Sequence, residues 1–143
     1  MGQANMGQAN GRQSIFITGA ASGMGRETAR LFSAKGWFVG GYDVNGAGLA
    51  ALETELGAGN CIVATLDVTD KAAYDAAVAA FGAATGGKLD LLYNNAGIGA
   101  GGLFEQMAFE DNLRVAQVNF IGVLNGIHAA LPLLKATKNS LCF

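Results

Sequence analysis

The chain of 143 residues is poor in charge, proline, cysteine and histidine, and each shortage removes a class of protein. Charged side chains make up 14% of it against 51% hydrophobic ones, which excludes an intrinsically disordered chain. A formal net charge of −2 and a pI near 5.2 leave no basic footprint for nucleic acid and no polybasic stretch for an anionic membrane surface. No uninterrupted apolar run approaches the roughly 18 residues needed to span a bilayer. Met1–Gln13 lacks the basic and apolar regions of a signal peptide. These shortages predict a cytoplasmic protein with no nucleic-acid or membrane partner. Cys61 and Cys142 show no metal-ligand or redox spacing, and two thiols make no disulfide framework. Both are read as packing residues, and no metal site is expected. The one proline, Pro132, falls near the end of the last helical stretch, where it is expected to bend the final turn. The one histidine, His128, is expected in helix packing or at a partner surface.

Glycine is abundant instead, at 22 residues against an average share of about 7%. Several glycines stand at strand ends and beside helix starts, where backbone turns sharply or approaches a ligand. Residues 1–10 repeat Met-Gly-Gln-Ala-Asn, and 1–12 are expected to form a mobile extension ahead of a domain over 13–143.

Short apolar runs alternate with helical periods. Strands are predicted over Ser14–Thr18, Gly36–Asp43, Cys61–Leu66 and Leu89–Tyr93, with a fifth starting at Ser140. Met24, Thr28, Leu31 and Phe32 mark a face of the first helix, and Leu49, Leu52 and Leu56 one of the second. Thr69 is the candidate N-cap of the third, which buries Tyr74, Val78 and Phe81. A long helix over about Phe109–Lys135 carries Leu113, Phe120, Leu124, Ile127 and Leu131 on one face and the small residues Gly122, Gly126 and Ala129 beside it. Strand–helix alternation predicts an α/β fold: a Rossmann-type doubly wound parallel sheet of order 3-2-1-4-5, cut short in strand five. Both faces are then covered, which suits strands apolar throughout.

The first strand–helix turn reads Thr18-Gly19-Ala20-Ala21-Ser22-Gly23-Met24-Gly25. A pyrophosphate needs exposed backbone N–H groups at a helix N-terminus and no side chain in the way. Gly19 suits the tight turn, Gly23 the approach of phosphates, and Gly25 close helix–strand packing; Ser22 and Met24 lie between them. Asp43, with Val44 after it, ends strand two at close to the distance of roughly 20 residues expected of the acid that binds the adenosine ribose. A carboxylate there accepts from the ribose hydroxyls and repels a 2′-phosphate, so NAD is expected as cofactor in preference to NADP. The competing reading of Asp43 is a strand-end residue starting a turn. Arg26 could weaken that preference if it faced a 2′-phosphate, but its place in the first helical turn favours solvent. Asn94-Asn95-Ala96-Gly97 follows strand four. Strands one and four are neighbours whose connections leave to opposite faces, so this loop and the glycine turn converge on one crevice. Either asparagine could instead pin the loop to backbone, while Ala96 and Gly97 are small enough to lie against a cofactor.

Together with Asp67-Val68 after strand three and Asn119 within Val118-Asn-x-x-Gly122, these motifs resemble the short-chain dehydrogenase/reductase family from about Gln13 onward. The resemblance implies hydride transfer between NAD(P) and a small-molecule alcohol/carbonyl pair. It implies that Asp67 touches the adenine amino group with the Val68 backbone beside it. Asn119 resembles the asparagine of an Asn-Ser-Tyr-Lys catalytic group, supporting a water-linked proton path; read from the residues alone, it is a polar side chain on an apolar helix that backbone or water could satisfy. Family members place the catalytic serine, tyrosine and lysine beyond the point reached here. None of Tyr42, Tyr74 or Tyr93 has a lysine four residues on, so the chain as given is expected to be inactive. The alternative reading is a catalytically inactive NAD-binding sensor or interaction module. A homo-oligomer is expected when the remainder is present, with the small-residue stripe of the long helix meeting a second helix; the alternative is a stripe that serves only close packing on its own sheet.

Overall fold

The computed structural model describes residues 7–143. Five strands form one parallel sheet of order β3-β2-β1-β4-β5: β1 Ser14–Thr18, β2 Phe38–Asp43, β3 Cys61–Thr65, β4 Leu91–Tyr93 and β5 Leu141–Cys142. Helices α1 (Gly23–Ala34), α2 (Gly46–Leu56) and α3 (Lys71–Thr85) follow the first three strands. A single long helix then leads to β5, composed of α4 (Phe109–Ala116), a π-helical turn (Gln117–Ile121) and α5 (Gly122–Lys135). The predicted sheet and its order are those observed. β2 begins two residues later than expected, because Trp37 still belongs to the turn and donates its backbone N–H to Phe32 O.

Side-chain alternation along β1 builds two cores. Ile15 and Ile17 face α1 and α2, joining Ala29, Val39, Leu49 and Leu52. Phe16 faces the opposite side with Phe38, Tyr42, Tyr74, Phe81 and Leu92. On that side Phe16 stacks on Tyr42 at 4.0 Å and meets Phe81 edge-on at 5.4 Å. The aromatic layer fits because β2 carries Gly40, where a Cβ would lie 2.7 Å from the Phe81 ring.

Three sequence expectations about faces and caps change. In α1 the buried residues are Gly25 and Ala29, while Met24 and Leu31 are 75% and 53% exposed. The helix lies too close to β1 for larger side chains at the contact. The N-cap of α3 is Asp70, whose carboxylate accepts from Ala73 N at 2.9 Å; Thr69 instead donates its hydroxyl to Asp67. Along the long helix, Gly122, Gly126, Ala130 and Leu134 are buried, whereas Leu113, Phe120, Leu124, Ile127 and Leu131 are exposed. A Cβ on Gly126 would lie 2.5 Å from the Tyr74 hydroxyl, and one on Gly122 2.6 Å from Val68. The bulk needed at this contact is supplied from the sheet side, so the helix turns its small stripe inward. The stripe expected to meet a second helix therefore packs on its own domain. His128 is exposed on the same helix. By length and composition Phe109–Lys135, with a mean hydropathy of 1.3 in its most apolar stretch, is apolar enough to cross a membrane; here it flanks the sheet.

Residues 1–6 of the expected mobile extension lie outside the described residues. Within residues 7–12, Gly7 and Ala9 are buried, and Ala9 donates its N–H to Ala84 O at 2.9 Å. The Arg12 guanidinium donates to the carbonyls of Gln8, Ala9 and Gly59 and to Asn60 Oδ1. One arginine thus ties this segment to the turn before β3, ahead of the expected domain start at Gln13. The two thiols also diverge: Cys61 is buried and Cys142 exposed at the sheet edge.

Candidate functional site

A cleft of about 360 Å³ opens at the carboxyl ends of the strands. Its nearest wall is the turn from β1 into α1. Gly25 makes this turn possible from behind, since a Cβ there would lie 2.1 Å from Gly19 O. Gly23 adopts φ +51 with open space where a side chain would be, so the backbone faces the cleft unshielded. α2 and α3 are capped by the side chains of Asn45 and Asp70. Ser22 precedes α1 yet makes no capping hydrogen bond. The first N–H groups of α1 are thereby left for an anion, on the positive end of the helix.

The loop after β4 is held against this turn by polar contacts. Thr18 Oγ1 accepts from both Asn95 N and Ala96 N at 3.1 Å. The Asn95 amide donates to Thr18 O at 3.0 Å and Gly19 O at 3.3 Å. Asn95 thus pins the loop, as one of its two sequence readings allowed. Asn94 serves β5 instead, donating its amide to Phe143 O at 3.1 Å and accepting from the Tyr74 hydroxyl at 3.3 Å.

Asp43 projects from the end of β2 to the cleft. Its Oδ2 accepts from Ala21 N and its Oδ1 from Asn45 N, both at 3.0 Å. It therefore starts the turn into α2 and braces the glycine turn as well, and each oxygen retains a lone pair. Asp67 accepts through Oδ1 from Thr69 N at 2.9 Å and Thr69 Oγ1 at 2.7 Å. These bonds, aided by the Arg114 guanidinium, hold its carboxyl below the usual carboxylate range. Arg26 turns to Glu55, at 3.1 Å, and away from the cleft.

The cleft gathers Gly19, Ser22, Gly23 and Met24 from the turn and Asp43, Val44, Asp67 and Val68 from the next two strand ends. Asn95, Ala96 and Gly97 close it from the β4 side. Two of the sequence candidates stand apart. Gly25 packs behind the turn. Asn119 lies in the π turn and grips the loop, its Oδ1 accepting from Ile98 N at 2.9 Å and its Nδ2 donating to Ile98 O at 2.8 Å. Its side chain holds backbone and is not among those that line the cleft. Sequence reasoning missed Arg114, which lines the cleft with Val118; their separation by one helical turn was a usable signal. A larger cavity, of about 560 Å³, opens among Lys88, Lys135 and Lys138. Lys135 occupies the last turn of α5, where a cation opposes the negative helix end.

The sequence matches the family "short chain dehydrogenase" over residues 13–141. It is 40% identical over 126 residues to serine 3-dehydrogenase of Agrobacterium fabrum, covering 87% of this chain and 49% of that protein. It is 39% identical over 132 residues to momilactone A synthase of Oryza sativa, with 87% and 46% covered. Among solved structures, a short-chain dehydrogenase/reductase from Burkholderia phymatum in complex with NAD superposes with a TM-score of 0.85 at 32% identity. That superposition covers 96% of this chain and 48% of the other. The 3-ketoacyl-(acyl-carrier-protein) reductase of Brucella melitensis, complexed with NADH, gives 0.82 at 34%, with 87% and 51% covered. The chain spans about half the length of these relatives. Its sheet order, glycine turn and family match agree, and the chain belongs to the short-chain dehydrogenase family.

Proposed function

We propose that this chain is the cofactor-holding part of an NAD-dependent short-chain oxidoreductase that interconverts an alcohol and a carbonyl. The observation that carries this reading is the uncapped N-terminus of α1, open to the cleft beside unshielded Gly23. The residues fit a dinucleotide. The backbone of Gly19 and Ser22–Gly25 would hold the pyrophosphate, Asp43 and Val44 the adenosine ribose, and Asp67 and Val68 the adenine. Ala96 and Gly97, set in place by Asn95, would lie along the nicotinamide half. Asn119, through Ile98, would keep that loop at the distance the reaction needs. Bound there, the cofactor supplies the hydride chemistry.

Preference for NAD over NADP rests on Asp43 and on Arg26, which is committed to Glu55. Fluorescence titration is expected to show NADH binding at least about ten-fold tighter than NADPH, the scale of a hydrogen bond to a charged group. Asp43→Ala is expected to narrow that gap. Equal affinities in the parent chain would overturn the preference.

Among the described residues, neither Tyr42 nor Tyr74 suits the alcohol proton. Burial pushes the hydroxyls of Tyr42 and Tyr74 well above the usual phenol range, and both side chains belong to the core. The 143-residue polypeptide is expected to bind NADH yet form none from NAD and alcohols. NADH formation above background by protein of that mass would refute the assignment of the proton chemistry.

The exposed face of Leu113, Phe120, Leu124, Ile127 and Leu131 supports a homo-oligomer, since contiguous apolar surface marks association. Light scattering across a concentration series tests it, and a monomer at high concentration would overturn it. The free thiols of Cys61 and Cys142 fit a reducing, cytoplasmic compartment.

A further inference from the structure

The amino ends of the parallel strands form a second opening, at the far end of the sheet from the cleft. The segments entering β1, β4 and β5 meet there around the cavity of about 560 Å³. It is set apart from the glycine turn by the five residues of β1, at about 3.3 Å each. Three hydrogen bonds tie the strand entrances together. Asp90 Oδ2 accepts from Ser14 N at 2.8 Å, Thr137 Oγ1 from Leu89 N at 2.9 Å, and Asp90 O from Leu141 N at 2.8 Å. The floor of the cavity is thereby fixed by the sheet itself.

Its charge runs against that of the chain. Nine basic residues are outnumbered by eleven acidic ones. Yet four of the nine, Arg12, Lys88, Lys135 and Lys138, line this cavity, with Asp90 as its one carboxylate. Arg12 is committed to backbone carbonyls and Asn60. Among the described residues ion pairs form at Arg26, Arg30 and Lys71, and none at the three lysines, which are exposed. A lysine after a helix commonly serves its negative end, and α3 and α5 both stop here. Their last carbonyls already have donors, however. Thr85 Oγ1 donates to Phe81 O at 3.1 Å and Gly87 N to Gly82 O at 2.8 Å. Thr137 Oγ1 donates to Leu133 O and Ser140 Oγ to Leu134 O, both at 2.8 Å. Like charges gathered at one opening repel one another, and a bound anion relieves that repulsion. No aromatic side chain lines the cavity, and Ala136 is its only wholly apolar one among the described residues. The lining offers charge and nothing to stack a ring on.

We propose that this opening is a second ligand site, taking an anion with two or more phosphate groups held by Lys88, Lys135 and Lys138. Lysine binds phosphate as a point charge, and cations carried by two separate segments suit charge spread over more than one group. Recognition is through the phosphates alone. The site is independent of the cofactor reading, because it shares no residue with the cleft.

Tripolyphosphate is the probe, titrated into the isotope-labelled chain with and without NADH and followed by amide chemical shifts. Shifts are expected over residues 88–90 and 135–138 in both cases. ATP is expected to bind no more tightly than tripolyphosphate. K88Q/K138Q is expected to weaken tripolyphosphate about ten-fold, the combined scale of two exposed charge pairs, and K88R/K138R to keep parental affinity. Shifts confined to the glycine turn, equal shifts from chloride at the same ionic strength, tighter binding of ATP, or unchanged affinity in K88Q/K138Q would overturn the proposal. A chain that takes tripolyphosphate here and binds no NADH would overturn the cofactor reading alone.

Discussion

Gly25→Val is expected to abolish NADH binding and to lower the unfolding free energy by about 3 kcal/mol or more, the upper range for overpacking a rigid contact. The reason is geometric. A Cβ at this position would sit 2.1 Å from Gly19 O, 2.8 Å from Gly19 C and 2.6 Å from the Asn95 amide nitrogen. Two of these three atoms are backbone of the turn itself, so relief requires α1 to move away from β1. That movement takes the helix N-terminus out of the cleft and breaks the Asn95 contacts. Gly59→Ala is the control: no atom lies within 4 Å of a Cβ there, so the change should stay within about 0.5 kcal/mol. Urea midpoints and NADH titrations measure both effects. A Gly25→Val protein with parental midpoint and affinity would mean that the turn is not as tightly constrained as its contacts imply.

Asn95→Leu is expected to be the next most damaging change. Leucine keeps the approximate volume and removes the donor that joins the carbonyls of Thr18 and Gly19 to the loop after β4. Both bonds are partly buried, and leaving such acceptors without their donor costs about 1–3 kcal/mol. Thr18 Oγ1 still accepts from the Asn95 and Ala96 backbone, so the loop should loosen and the domain stay folded. NADH affinity is then expected to fall about ten-fold, in line with the same energy range. Asn94→Leu provides the contrast, because Asn94 ties β4 to Phe143 and lies outside the cleft. Its effect is expected on stability, with NADH affinity close to parental. Equal losses of affinity in the two variants would show that Asn95 holds no special place at the site.

The sheet, its order and most of the cleft were legible in the residues. Gly19, Gly23, Gly25 and Asp43 could be read because each meets a demand of backbone or charge that few residue types satisfy, and because strand ends in this topology must converge on one crevice. The roles of the polar residues were only half legible. Asn95 and Asn119 carry amides that can face a ligand or grip backbone with equal chemistry, and only the distance to Thr18, Gly19 and Ile98 decides for the grip. Arg114 went unread because the other residues of the cleft lie far away in sequence and reach the same mouth only through the sheet.

The long helix marks the sharpest division. Its periodicity announces an apolar face of Leu113, Phe120, Leu124, Ile127 and Leu131 beside a face of glycine and alanine, and hydrophobicity favours burying the larger. Tertiary structure chose the other, because Tyr74 and Val68 already fill the space above the sheet and leave room only for Gly126 and Gly122. Local pattern sets which residues share a face; which face turns inward depends on the volume that distant parts of the chain have already taken.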